Sequence, residues 1–287
     1  MIKQAKQIKV DIANILETLY ARYNHHNLIK PDPLQFIYNY PDKKDMEIIG
    51  LLSASLAYGR VEQIQNSLMK LFSIIGDSPY EFALDFNTNK RRKLDKFKHR
   101  FNTGKDIADL FELLRIIIRE YGSVENYFLQ SYNKNDENII PALTGFCNSL
   151  IEIHSSIHKK NSNKSLEYLL VSPSRKSACK RMNLFLRWMV RKDKVDAGIW
   201  KSIDKAKLIV PIDIHMSRLC KILGFYDSKT VSLKTAIQIT NCFAQIEPSD
   251  PVKYDFALSR IGIVENCTGK YNDKCQNCEL NVFCNRR

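Results

Sequence analysis

No stretch of this chain sustains the strict apolar–polar alternation of a half-buried strand, whereas apolar residues recur at three- and four-residue intervals along most of its length. That periodicity restricts the chain to helix-on-helix packing. Helices are expected over residues 2–24, 45–58, 61–75, 105–120 and 139–157, with a break at Gly59 and a polar loop over residues 161–164. Ser172-Pro173 and Asp250-Pro251 each offer a capping side chain with a proline at the first helical position. Only 10 glycines and 9 prolines in 287 residues suit an all-α fold better than a turn-rich sandwich.

The chain carries 44 Lys+Arg against 31 Asp+Glu, a formal net charge of +13. A surplus of that size favours a polyanionic partner. The longest apolar runs are too short to span a bilayer. The opening MIKQAKQIKVDIANILETLY intersperses charges among its apolar residues, unlike a signal peptide. A cytoplasmic protein without membrane association is expected. Lys90-Arg91-Arg92-Lys93, continuing through Lys96, Lys98 and Arg100, is the densest basic run. It reads either as a solvated helix face or as a phosphate contact.

Eight cysteines in a cytoplasmic chain point to metal or redox chemistry before disulfides. Four lie at the end, in CTGKYNDKCQNCELNVFC: Cys267, Cys275, Cys278 and Cys284. A C-x2-C pair lets two thiolates reach one centre from a tight turn, and two outer cysteines close the site. Thiolate ligation suits zinc or an iron–sulfur cluster, and ligand type alone leaves that choice open. Cys147, Cys179, Cys220 and Cys242 fall in helical patterns and read as small core residues.

In SPSRKSACKRMNLFLRWMVR, Ala178, Met182, Phe185, Leu186 and Met189 share one helical face. Lys176, Lys180, Asn183, Arg187 and Arg191 share the opposite one. Arg175 and Lys176 would stand in the first turn, where the helix dipole disfavours cations unless an anion binds there. Such a start is a phosphate seat, or else the beginning of a solvated face. In VPIDIHMSRLCKILGF, Asp213 precedes an amphipathic helix with a Met216–Leu219–Cys220–Leu223 stripe, so it can serve as N-cap and also point into a site.

The V-P-I-D-I-H-M-S-R-L segment, together with a terminal four-cysteine loop, resembles the helix-hairpin-helix DNA glycosylase superfamily. Its endonuclease III branch carries a V-D-T-H-like segment and a C-x6-C-x2-C-x5-C loop; here the first gap is one residue longer. Residues 47–72, with Tyr58, Gly59 and Arg60 at their centre, resemble the early helix pair of that superfamily. The usual Gly-x-Gly hairpin is absent, and SPSRKSA is its nearest counterpart. Lys180-Arg181-Met182-Asn183 is similar to the K-x-x-N stretch of the archaeal 8-oxoguanine glycosylases, which also carry a modified hairpin. The chain is expected to sit on a bacterial branch near them.

The resemblance implies a two-lobed, all-α glycosylase-like fold ending in the cysteine cluster loop, whose four cysteines would hold a 4Fe–4S cluster, with zinc as the alternative. A helical barrel with the modified hairpin would span 36–205, and a discontinuous lobe would combine 1–35 with 206–287. It implies base excision with abasic-site lyase activity on oxidised bases, 8-oxoguanine favoured. Lys180 would form the Schiff base, with Lys176 as its rival, and Asp213 would face the electron-poor sugar carbon. Tyr58, Arg60, Arg175, Lys176, Arg181, Arg187 and His215 would meet the DNA, with Tyr58 and Arg60 as wedge or pocket wall. The expected partner is double-stranded DNA with a damaged base, bound by a monomer. A non-catalytic DNA-binding protein on the same fold, or a glycosylase for oxidised pyrimidines, are the alternatives.

Overall fold

The computed structural model describes residues 2–159 and 163–284, with side chains described from residue 12 onward. Most of the chain is helical, as its periodicity requires. In order run α1 (Ile2–Tyr23), α2 (Lys43–Ser55), α3 (Val61–Ile75), α4 (Pro79–Leu84) and α5 (Thr88–Leu94). Next is a hairpin made of β1 (Lys98–His99) and β2 (Asn102–Thr103), antiparallel with His99 opposite Asn102. Then come α6 (Gly104–Tyr121), α7 (Val124–Leu129), α8 (Ile140–His158), α9 (Lys164–Leu169) and α10 (Lys180–Val190). Last are α11 (Ile214–Ile222), α12 (Leu233–Ala244) and α13 (Asp255–Val264), with the cysteine loop beyond. The expected helices at 2–24, 61–75, 105–120 and 139–157 are present to within a residue at each end. Of the expected 161–164 loop, residues 161 and 162 lie outside the described residues, while Asn163 caps α9 and Lys164 opens it.

Two helices form the centre. Residues 47–55 of α2 and 181–190 of α10 are buried all round, and the two helices pack on each other. Gly50 makes that approach possible, since a Cβ there would lie 2.8 Å from Met189 Cε. The helix pairs α4–α6, α5–α6, α6–α7 and α7–α8 surround this pair. Separately, α1 packs on α13 and α13 on α11, which brings the N-terminal helix against the C-terminal ones. One contiguous apolar core runs through both groups, from Ile12 to Leu280. Cys147, Cys179 and Cys220 are buried in it, and Cys242 is half-buried. Among the described residues no helix is long and apolar enough to cross a membrane.

Two predicted helix starts are corrected. Ser172 does cap, accepting from Ser174 N, but it opens only a short 3-10 turn, Pro173–Arg175. Lys176 (φ 60°) and Cys179 (φ 47°) then take left-handed conformations, and α10 starts only at Lys180. The missing glycines are therefore replaced by two strained non-glycine residues, each costing on the order of 1 kcal/mol. Likewise α13 starts at Asp255, four residues after the Asp250-Pro251 pair, because the Asp250 carboxylate is committed to Arg191 at 2.8 Å.

Candidate functional site

A cleft of about 1020 Å³ opens between the two helix groups. Ala57 to Ile64 and Lys180 form one wall, and Asp213 to Lys221 the opposite one. Pro31–Pro33 and α13 residues Asp255, Ser259, Arg260, Gly262 and Ile263 complete the lining. The structure thus brings Lys180, Asp213, Tyr58, His215 and Arg187 into one concavity, although they span more than half of the sequence.

Asp213 stands at the end of a buried apolar run, Leu208 to Ile212, which fixes where α11 must begin. Its Oδ1 accepts from Met216 N at 2.7 Å, so it is the N-cap of α11. Its side chain is partly exposed in the cleft. The two readings of this acid are compatible: the cap locks the side chain while the cleft stays open to it. His215 packs on Gly262, where a Cβ would fall 2.3 Å from His215 Nδ1. That close approach sets the α11–α13 spacing, and with it the position of Asp213. Beside Asp213, Ile214 is 75% exposed, an apolar surface at the mouth of the cleft. Across the cleft, Lys180 is the first residue of α10, and its Nζ donates to Ala57 O at 3.2 Å.

The basic face expected on this helix is not a surface. Arg187 is 2% exposed, and its Nε donates to Asp196 Oδ1 at 3.2 Å while Nη1 pairs with Asp255. Burial alone would depress its guanidinium, but the Asp196 and Asp255 carboxylates reverse the shift upward. Arg191 is similarly enclosed by Asp193, Asp196 and Asp250. Arg187 therefore lines the cleft floor as part of a buried charge cluster, not as a phosphate contact.

Arg181 is corrected in the same way. It is buried, donating to Ser55 O and Tyr168 O, with its guanidinium carbon 4.9 Å from the Tyr58 ring centroid and 4.5 Å from that of Tyr168. The Arg175–Lys176 phosphate seat is also absent, because no helix N-terminus lies there. Arg175 pairs with Glu167, and Lys176 is exposed outside the cleft lining. Arg60 is exposed just ahead of α3. Tyr58 lines the cleft but is tethered: its hydroxyl donates to Asn102 Oδ1 at 2.6 Å, and burial pushes its pKa up to about 12. The basic run divides: Lys90 bonds Glu81 O and Phe82 O, Arg91 pairs with Asp109 and Glu112, and Arg92, Lys93, Lys96, Lys98 and Arg100 are exposed.

Sequence reasoning missed five charged residues of the cleft: Arg218 and Lys221 of α11, and Asp32, Asp255 and Arg260. Asp255 on α13 is 3% exposed, and burial lifts its carboxyl to about 6, against the pull of Arg187 and with the charge of Asp213 adding to it. Arg260, one turn on, lies 3.6 Å from Asp32. Asp32 in turn caps a 3-10 turn by accepting from Leu34 N at 3.0 Å. The Pro31-Asp32-Pro33 triplet signals that turn, but nothing in the sequence places it opposite residue 260.

The cysteine loop is tied to this wall. Arg218 of α11, a cleft residue, donates to Cys267 O, and Arg22 of α1 pairs with Glu279. Cys267, Cys275 and Cys278 line a separate cavity of about 220 Å³ beside Arg22. Among the described residues no three of the four sulfur atoms lie within 4.8 Å of one another. Thiolates on one tetrahedral zinc would stand about 3.8 Å apart, from a Zn–S bond of about 2.3 Å. Cys284 is not among the residues that line this cavity.

A second possible metal group lies elsewhere: Asp109, His154 and His158, with ligand atoms within 4.8 Å of one another. Lys105 at 2.6 Å and Arg91 at 2.8 Å already neutralise Asp109, so this group is an ion-pair network with little to offer another cation.

Residues 32–264 match the model of the family described as Protein of unknown function (DUF2400), and the chain belongs to that family. The matched span holds the cleft residues from Asp32 to Ile263, and it ends before Cys267. No curated protein and no solved structure matches the chain.

Proposed function

We propose that this DUF2400 member is a DNA base-excision glycosylase with associated abasic-site lyase activity, acting on oxidised bases, with 8-oxoguanine favoured. The observation that carries the reading is the convergence of Lys180 and Asp213 on one cleft wide enough for a flipped nucleoside. Lys180 is preferred to Lys176 as nucleophile because Lys176 is not among the cleft-lining residues.

The chemistry rests on these positions. As the glycosidic bond breaks, positive charge builds at the sugar C1′, and the Asp213 carboxylate stabilises it. Its rigid cap geometry means that little reorganisation is needed in the transition state. Attack on C1′ requires the free amine of Lys180, and Asp213 would accept the proton. The C1′–N bond to the base breaks as the Lys180 Nζ–C1′ bond forms, and the base leaves with the bonding pair. Opening of the sugar gives the Schiff base. Loss of the C2′ proton then expels the 3′ phosphate, and water finally releases the lysine.

Cys267, Cys275, Cys278 and Cys284 would hold a 4Fe–4S cluster, which supplies rigidity to the loop and takes no part in the reaction. With Lys270 and Lys274 between its first cysteines, the loop would rest on the DNA backbone. The duplex would cross the cleft between the 36–205 group and the group formed by 1–35 and 206–287.

Base release from duplexes carrying 8-oxoguanine, thymine glycol or no lesion tests the reading. Release of 8-oxoguanine by the wild type, reduced at least a hundredfold in Asp213→Asn with duplex binding retained, is expected. Release of thymine glycol alone would transfer the activity to oxidised pyrimidines. Tight binding with no release from any duplex would make the protein a non-catalytic binder.

A further inference from the structure

Tyr58, expected with Arg60 as wedge or pocket wall, is held back by its own hydrogen bonds, yet the structure presents another aromatic next to it. The β1–β2 hairpin turns through Arg100 and Phe101, and Phe101 is 67% exposed, an unusual exposure for a phenylalanine. Its ring lies parallel to that of Tyr58, with centroids 6.4 Å apart, and edge-on to Tyr168 at 6.0 Å. The turn therefore stands at the rim of the cleft, above the wall that carries Tyr58 and Lys180.

The hairpin is too short to be stable from its ladder alone, so its rigidity comes from what anchors it. His99 is buried, sharing a hydrogen bond with Ser67 Oγ at 2.9 Å and bonding Tyr58 O at 3.0 Å. Asn102 is fully buried, donating to Ser165 O and accepting from Tyr58. Gly104 at its base donates to Phe97 O, and a Cβ there would come 1.7 Å from Leu94 O, so only glycine fits. Arg100, in a left-handed conformation (φ 52°), lays its guanidinium over both the Tyr58 and the Phe101 rings and against Gly59. Lys98 and Arg60 are exposed alongside. An apolar ring on a stiff support, surrounded by cations, matches a base stack flanked by phosphates.

We propose that Phe101 is the duplex wedge: it enters the gap that a base leaves when it turns into the cleft, and stacks on the neighbouring bases. Lys98 and Arg60 hold the adjoining phosphates. This inference rests on the glycosylase reading, since without base flipping there is no gap to fill.

The test compares a duplex carrying a tetrahydrofuran abasic analogue with an undamaged duplex of the same sequence, by fluorescence anisotropy. Wild type should prefer the abasic-analogue duplex. Phe101→Ala should lose about tenfold in affinity for it and leave the undamaged duplex unchanged. Phe101→Trp should restore the preference, with its new indole emission quenched on the abasic-analogue duplex only. Thermal melting of both variants should match wild type, because the side chain is exposed. If Phe101→Ala keeps the full preference, or loses equally on both duplexes, the wedge assignment is overturned and the glycosylase reading stands. If wild type shows no preference at all, both fall.

Discussion

Replacing Arg187 by Met removes one side chain from the buried charge cluster and leaves its partners in place. Asp196 keeps Arg191, whose Nη1 lies 3.0 Å from its Oδ2. Asp255 has no other ion-pair partner among the described residues and is 3% exposed. Stranding a buried charge in this way costs about 3–5 kcal/mol. Asp255 can escape part of that cost by taking up a proton, since its carboxyl already titrates near 6 with Arg187 present. Without the guanidinium its pKa rises further. Each pH unit above about 6 then adds up to 1.36 kcal/mol to the cost of keeping it protonated, until the ionised form takes over.

The destabilisation is therefore expected to be about 3–5 kcal/mol at pH 8 and about 2 kcal/mol less at pH 6. For a chain of this length that corresponds to a fall in Tm of roughly 6–15 °C at the higher pH. Urea unfolding monitored by tryptophan fluorescence is a direct assay, because Trp188 and Trp200 are both buried. A variant within about 1 kcal/mol of wild type at both pH values would refute the reasoning. That result would be decisive if DNA binding also lost about one phosphate from its salt dependence, since Arg187 would then be acting at the surface.

The same geometry carries other expectations. Burial lifts the Glu47 carboxyl to about 7 from an ordinary 4.5, even though Val124 N, Glu125 N and Trp200 Nε1 donate to it. The folded state therefore binds more protons than the unfolded state between those values, and this group's contribution to stability falls as pH rises from about 4.5 to 7. The difference in stability between wild type and Glu47→Gln should shrink by on the order of 2–3 kcal/mol over that range, and a constant difference would contradict the assignment. Gly262→Ala should push His215 away and shift Asp213 with it, lowering base release at least tenfold while the fold survives; unchanged release would show that the α11–α13 spacing is irrelevant to the site. Cys275→Ser should abolish a visible absorbance band near 400 nm in protein purified without oxygen, and a colourless wild type containing zinc would replace the cluster with a single ion.

The helical class, the capped start of α11 at Asp213 and the placement of Cys147, Cys179 and Cys220 in the core were all legible, because they depend on local periodicity and capping chemistry. The fate of the basic stripe was not. A 100° projection tells which residues of a helix share a face, but not what covers that face. Here the covering acids arrive later in the chain, Asp255 as many as 68 residues after Arg187. The same limit hid Arg260 and Asp32, which meet across 228 residues (260 − 32). The hairpin escaped because strands of two residues are too short to alternate. The break at Lys176 and Cys179 escaped because left-handed backbone without glycine leaves no compositional mark.

The central claim, that Lys180 and Asp213 form a Schiff-base site in the cleft, is tested most directly by locating the covalent bond. Wild-type protein would be treated with borohydride on an 8-oxoguanine duplex and on an abasic duplex, digested, and the adduct mapped by mass spectrometry. The account predicts the reduced sugar adduct on Lys180. An adduct on Lys176 would place the chemistry outside the cleft, and no adduct on either duplex, with binding intact, would contradict the claim outright.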